Sequence, residues 1–484
     1  MAFFDILNKQ YINGKWRDGK SQKKYEVTNP YNDDVLTTFQ LSTKEDIQEA
    51  YETAKQAQKA WEHTNPFERS NVMEKAVSVM KDKREEIIDL IVQETGSSHI
   101  KANVELDFCI AITREAASFP MRMKGDLVPS LVPGKENRVY RKALGVVGVI
   151  SPFNFPMYLS MRSVAPAIAV GNGVVLKPDE QTAMSGGTIL AKIFEEAGLP
   201  PGVLQVTVAS IDEIGDSFVD HPIPRLISFT GSTAVGRHIG ELCGRHIKKT
   251  ALELGGNNAL VVLEDADIEK AVNSAVFGKF MHNGQICMAI NRIIVHDSIY
   301  KEFVDAFVEK ARTIKTGDPR ETDTMIGPLI NQAAVDRILN EIEEAKKQGA
   351  NVVLEGEVEG KVMSPYVLTG TNEVATAQRE MFGPVATIIP VKSEEEAIQT
   401  ANDTPYGLSG AVHTKSIEKG VEVAQQLETG MVHVNDQSVN DEPLIAFGGE
   451  KDSGIGRFGG EWSLEEFTTT QWISAQRESR EYPF

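Results

Sequence analysis

LGVVGVISPFNFP (144–156), GNGVVLKPDE (171–180) and LISFTGSTAVG (226–236) are three apolar runs, each leading through a short loop towards a helical stretch. They belong to a regular alternation between 144 and 252. Strands are expected at 144–150, 174–176, 203–206, 226–229 and 250–254, and helices at 159–170, 183–197, 211–221 and 234–244. Strands apolar on both faces and separated by helices form a parallel sheet covered on both sides. Such sheets bind ligands at the carboxyl ends of their strands. Working outward, 45–120 is strongly helical, with apolar residues at i, i+3, i+4 spacing in 47–61, 68–80 and 83–94. After 258 a second α/β set follows, with strands at 258–262, 291–295 and 385–390 and helices near 299–315, 332–348, 393–402 and 416–427. Segment 123–143 lacks a helical period, and the tail 464–484 is polar with scattered aromatics. Both read as arms that pair with another subunit or, equally, as surface segments.

A chain of 484 residues exceeds one ordinary core, so two or three domains are expected. Its 41% hydrophobic and 25% charged residues are those of a soluble globular protein. The net charge of −19, without a basic stripe, argues against nucleic acid and anionic membranes as partners. No apolar run is long enough for a membrane helix. The N-terminal stretch from Met1 to Leu7 lacks the basic start of a signal peptide, so a cytoplasmic location is expected. Cys109, Cys243 and Cys287 are odd in number and far apart, which fits a reducing compartment and offers no zinc framework. No metal is expected.

Two motifs carry candidate chemistry. Cys287 follows a Gly-containing turn in FMHNGQICMA (280–289), and Glu253 begins a Gly-Gly turn in ELGGNN (253–258). The pair suggests a thiol nucleophile with a separate acid/base group. A lone cysteine reads equally well as a small buried hydrophobe. Gly231 in FTGSTAVG (229–236) allows close backbone approach, and the helix that follows offers free N–H groups to a phosphate. With no Lys-Ser/Thr after it, this loop is not a nucleotide-hydrolysing P-loop. Lys177 and Glu180 follow a second strand of the same sheet and are placed to bond ribose hydroxyls; a solvated surface pair is the plainer alternative.

These residues, with SPFNFP (151–156), EMFGPV (380–385), FGG (447–449) and SGIGR (453–457), resemble the NAD(P)-dependent aldehyde dehydrogenase superfamily from Phe3 to about Trp472. The resemblance implies a Rossmann-like cofactor domain (1–122 and 144–252), an α/β catalytic domain (253–430), a small oligomerisation arm (123–143 and 464–484) and a return segment lining the active site (431–463). It implies Cys287 as nucleophile, Glu253 as general base, and Asn154 with the Cys287 backbone N–H as oxyanion hole. It puts Lys177 and Glu180 on the adenosine ribose, Ser232 on the pyrophosphate and Glu380 with Phe382 at the nicotinamide ribose. Ser151, Pro152, Phe153, Gly231, Gly236 and Leu254 complete the expected cofactor site. A carboxylate at Glu180 would repel a 2′-phosphate, so NAD is expected, with NADP left open. A homodimer or homotetramer is implied.

Several positions depart from the commonest family pattern. Ser163, after Arg162, stands where many members have Lys; Asn257 follows Gly-Gly in place of Lys; Phe458 follows Arg457 in place of Glu. With HVNDQSVNDE (433–442), these features resemble the benzaldehyde, vanillin and salicylaldehyde dehydrogenase branch, so an aromatic aldehyde is the expected substrate. Arg162 would face a polar ring substituent, or form a surface or interdomain salt bridge. Rival readings are an aliphatic or semialdehyde dehydrogenase, a coenzyme A-acylating enzyme, against which Glu253 argues, and a non-catalytic relative, against which Cys287, Glu253 and Asn154 argue. His282, His433, Cys109 and Cys243 read as packing or surface residues.

Overall fold

The computed structural model describes residues 3–484; Met1 and Ala2, which begin the N-terminal stretch and the first expected domain, lie outside the described residues. Two large sheets organise the chain. The first runs in the order Lys15–Arg17, Gln10–Ile12, Leu204–Val206, Gly173–Lys177, Val146–Ile150, Leu226–Thr230, Lys249–Glu253, Gly454–Ile455. Its five central strands are parallel. They are the five expected from the apolar runs, and they are buried almost throughout. The strands at either side are antiparallel additions from distant parts of the chain.

The second sheet has seven strands in the order Asn351–Leu354, Tyr366–Thr369, Val385–Val391, Ile290–His296, Asn258–Val262, Ser409–His413, Met431–Val434. All neighbours are parallel except the first pair. Met431–Val434 is therefore a strand of this sheet, whereas Gly454–Ile455 belongs to the first. The segment read above as one return stretch crosses from one sheet to the other.

Three other expectations change. The helix expected over 211–221 is two single turns, Ile211–Ile214 and Ser217–Asp220, broken where Gly215 takes φ 52°. The helix expected over 183–197 opens as a π-turn, Met184–Thr188, before Ile189–Glu196. Buried Glu94 caps that turn by accepting from the N–H groups of Met184 (2.9 Å) and Ser185 (2.6 Å). The two presumed arms pair with each other. Thr468–Gln476 runs antiparallel to Lys135–Ala143 over nine residues, and Asp126–Val128 adds a third strand. This small sheet exposes Leu127 and Trp472, and the loop joining its first two strands exposes Leu131. Among the described residues no helix is long and apolar enough to cross a membrane.

Helix packing positions the loop after Val146–Ile150. The helix Pro156–Ala169 has no cap from its own preceding residue. Its first turn is capped from another helix, His99–Arg122: Glu105 Oε1 accepts from Met157 N (2.8 Å) and Tyr158 N (3.2 Å). A carboxylate there also complements the positive end of the helix dipole. Glu105 is in turn paired with Lys101, both side chains fully buried, and Lys101 Nζ lies 4.3 Å from the centre of the Phe155 ring. Removing one member of such a pair leaves a buried charge uncompensated. Lys101→Met is expected to cost about 3–5 kcal/mol, read as an earlier urea unfolding midpoint. Lys301→Met, in an exposed pair with Asp305, is the control and should leave the midpoint in place.

Candidate active site

Parallel strands put their carboxyl ends on one side, so four loops meet at one edge of the first sheet: 151–156, 177–180, 231–232 and 253–256. There a cavity of about 590 Å³ is lined by Pro152, Phe153, Gly231, Ser232, Leu254, Glu380 and Phe382, among others. A second cavity of about 820 Å³ lies beyond it, walled mainly by Phe108, Tyr158, Phe277, Met281, Val439 and Phe447, with Arg162, Asn440 and Asp441 as polar exceptions. Asn154 and Cys287 line both. The thiol therefore sits where two separate chambers meet.

The loop carrying Cys287 is held in a strained conformation. His282, Asn283 and Gly284 take φ of 47°, 59° and 72° in succession. Left-handed backbone is unfavourable for the first two, and persists only where neighbours fix it. Asn283 Nδ2 donates to Gly327 O (2.8 Å) and Pro328 O (2.7 Å), and Gln285 Oε1 accepts from Ile330 N (3.0 Å). His282 packs edge-on to Phe155, with centroids 5.8 Å apart. At Gly284 a Cβ would stand 2.4 Å from Gly383 O, so the thiol loop is pressed onto the turn that carries Phe382.

Two side chains bear on the thiol: Asn154, which lines both cavities with it, and Glu253, which acts on it electrostatically but is buried and lines neither. Asn154 Nδ2 donates to Gln285 O at 3.0 Å, which orients the amide and leaves its second N–H for another acceptor. Glu253 ends its strand buried, and neither of its carboxyl oxygens has a hydrogen-bond partner. Burial pushes this carboxyl up to about 8, against the pull of Arg162 and Arg457. Cys287 is reached through the cavities, yet burial pushes its thiol up to about 12; Arg162 opposes this, while Glu253, Glu380 and Asp441 add to it.

The expected cofactor residues divide into two groups. Glu380 Oε1 accepts from Gly256 N at 2.9 Å, and burial pushes its carboxyl up to about 7. Phe382 meets Phe153 edge to face at 5.9 Å. Ser232 caps the helix Thr233–Arg245 through Val235 N (3.4 Å). Lys177 and Glu180 lie at the same sheet edge and pair at 3.5 Å, but outside the cavity wall. Ser151 and Gly236 do not line the cavity. Ser151 Oγ accepts from Ser160 Oγ at 2.6 Å, and at Gly236 a Cβ would stand 2.3 Å from Leu254 Cδ2, so this glycine lets helix and strand approach.

Arg162 is not on the surface: its side chain is 2% exposed and faces Asp441. Asp441 and Tyr158, which donates to it at 2.6 Å, were not singled out from the sequence as site residues. No spacing rule connects them, because one lies on a helix and the other on a loop far along the chain. Cys109 and Cys243 are fully buried. Among the described residues no group of His, Cys, Asp and Glu is placed to hold a metal ion.

Residues 16–473 match the profile of the Aldehyde dehydrogenase family. Benzaldehyde dehydrogenase YfmT of Bacillus subtilis is 54% identical, covering 100% of both chains. A vanillin dehydrogenase of Corynebacterium glutamicum is 48% identical over 97% of this chain and 98% of its own. The crystal structure of an NAD-dependent benzaldehyde dehydrogenase from Corynebacterium glutamicum superimposes with a TM-score of 0.91 at 45% identity, covering 99% of this chain and 98% of that one.

The three cysteines differ in access, and this can be read directly. Alkylation of the native protein by iodoacetamide, followed by mass spectrometry, is expected to label Cys287 and spare Cys109 and Cys243. The labelling rate should keep climbing between pH 7 and pH 10, since the thiolate is the reactive form and burial keeps its fraction small.

Proposed function

The chain belongs to the aldehyde dehydrogenase family, and on that premise we propose that it oxidises an aromatic aldehyde to its carboxylic acid with NAD. The observation that carries this reading is the meeting of two cavities at Cys287 and Asn154, one at the carboxyl edge of a parallel sheet and one with aromatic walls. A flat ring fits between Phe108, Phe277 and Phe447. The relatives described above as benzaldehyde and vanillin dehydrogenases support the same substrate class.

The residues at the sheet edge suit a dinucleotide. The helix start at Ser232 offers N–H groups to a pyrophosphate. Lys177 and Glu180 are placed for one ribose, and a carboxylate there disfavours a 2′-phosphate. Glu380 enters the cavity for the other ribose because Gly255 has no Cβ; one would lie 2.5 Å from Glu380 Oε2. Bound there, NAD supplies the acceptor for a hydride.

On this reading the Cys287 thiol loses its proton to water at the cavity mouth, helped by the Arg162 guanidinium. The sulfur attacks the aldehyde carbon, and the C=O bond becomes a C–O⁻ bond. The free N–H of Asn154 and the Cys287 backbone N–H hold that oxyanion; losing one such donor typically costs on the order of 100-fold in rate. Departure of hydride from the same carbon leaves a thioester on Cys287. Glu253, ionised, takes a proton from water as the water attacks the thioester, and the C–S bond breaks to release the acid. An acyl transfer to coenzyme A would need no such base. The three free cysteines fit a reducing, cytoplasmic setting.

Two outcomes are expected. Cys287→Ser should lose NADH production by more than about a thousandfold, while Cys109→Ser and Cys243→Ser keep it. Because the folded Glu253 ionises only as pH rises through about 8, kcat should rise through that pH in the wild type. Glu253→Gln should lose that limb but keep a single-turnover burst of NADH; loss of the burst as well would give Glu253 an earlier role.

A homo-oligomer, dimer or tetramer, is proposed through the small sheet and its connecting loop, which expose Leu127, Leu131 and Trp472. Exposed apolar patches of this kind mark association surfaces. Leu131→Glu with Trp472→Glu should lower the mass measured by light scattering; an unchanged mass would remove this sheet from the interface.

A further inference from the structure

We propose that Arg162, Asp441 and Tyr158 form a subsite for a hydroxyl group on the substrate ring, in which Arg162 donates to the phenolic oxygen and Asp441 accepts the phenolic proton. This rests on the aromatic-aldehyde reading and adds to it a particular substituent.

The subsite lies within the cavity that Cys287 lines. Arg162 projects from the helix Pro156–Ala169 and is held by aromatic rings: its guanidinium carbon lies 4.3 Å from the centre of Phe447, 4.7 Å from Phe458 and 5.9 Å from Tyr158. Rings attract a cation but accept no conventional hydrogen bond from it. Among the described residues the guanidinium has no hydrogen-bond acceptor, and its Nε and Nη1 are buried without a partner. Buried donors are rarely left unmade, and each one that is left asks for a missing acceptor.

The nearest carboxylate is close without bonding. Arg162 Nη1 stands 3.8 Å from Asp441 Oδ2, beyond hydrogen-bond reach. That same oxygen accepts from Tyr158 Oη at 2.6 Å, which fixes the carboxylate. Asp441 is pushed up to about 6 by burial, so it is mainly ionised and an acceptor at neutral pH. Nη1 and Nε are closed off from the cavity, so a ligand oxygen reaches the guanidinium through Nη2, and one that also touches the Asp441 carboxylate stands at the apex of a triangle on these two cavity-lining groups. The group at its apex must accept on one side and donate on the other. A phenol does both. A methyl ether only accepts. A ring carboxylate only accepts, and Asp441 repels it. An ammonium group only donates, and Arg162 repels it. Phe277, Met281 and Phe447 leave the rest of the ring in apolar surroundings.

The test compares kcat/KM of the full-length protein with NAD on benzaldehyde, the three hydroxybenzaldehydes and the three methoxybenzaldehydes. The best hydroxy isomer is expected to exceed both benzaldehyde and its own methyl ether by about tenfold or more, carried by KM. Asp441→Asn and Arg162→Met should each bring that ratio to within about threefold of one, whatever they do to benzaldehyde itself. A wild-type hydroxy isomer no better than its methyl ether overturns the subsite, and needs no variant to fold. A ratio that survives both substitutions overturns it too. Oxidation of hexanal with no turnover of any aromatic aldehyde would instead overturn the parent reading.

Discussion

The site depends on a close approach that only two glycines permit. Between Glu253 and Asn258 the chain passes under the thiol loop and beside the turn that carries Glu380. A Cβ on Gly256 would stand 2.4 Å from Cys287 O, and one on Gly255 2.5 Å from Glu380 Oε2. The contact is then fastened: Asn258 Nδ2 donates to Cys287 O (2.7 Å) and Ala289 O (2.9 Å), and Gly256 N to Glu380. Three functional groups from three places in the chain are thus spaced by one turn, where a side chain at Gly256 would displace the Cys287 backbone and one at Gly255 the Glu380 carboxylate. Buried interiors are packed too densely to absorb such a shift.

Around that turn the protein buries more ionisable groups than stability alone would favour. Glu253, Glu380 and Asp441 are all pushed above the ordinary carboxylate range by desolvation, and Cys287 above the ordinary thiol range. Arg162 is the cation common to Glu253, Asp441 and Cys287, in each case opposing the effect of burial. It stands beside Ser163 in the helix and against the Phe458 ring. The carboxylate it faces, Asp441, comes from a loop far along the chain. A cation in that place is compatible with the apolar cavity because aromatic faces flank it.

The central sheet was legible because its strands are continuous apolar runs, and the motifs at Ser151, Lys177, Gly231 and Glu253 were legible because each follows or ends such a run. Cys287 and Asn154 share both cavities and Glu380 joins them in the one at the sheet edge, whereas Glu253 is buried and lines neither. What could not be read depends on partners far away in sequence. The pairing of Thr468–Gln476 with Lys135–Ala143 joins two polar, alternating segments that carry no strong local signal. The edge strands Asn351–Leu354 and Met431–Val434, four residues each, are too short to stand out. Gly215 looks like an ordinary interruption of a helical pattern, yet its positive φ splits the helix. Gly236 illustrates the opposite error: a glycine in a phosphate-binding pattern proves to be a packing contact with Leu254. Asp441 and Tyr158 meet only in three dimensions.

The strand next to Glu253 is Gly454–Ile455, and the Leu254 N–H is bonded to Ser453 O at 2.9 Å. Asp441 and Phe447 also come from this late part of the chain. During synthesis, then, the ribosome releases Cys287 and Glu253 before these last residues of their surroundings. Domains fold as units while the chain emerges, but here the last strand of the first sheet and the Asp441 and Phe447 side of the ring cavity arrive almost together, well after the strands they join. A nascent chain stopped short of this region holds its thiol and its glutamate without the strand that pairs beside Glu253 and without the carboxylate and the ring that face Arg162.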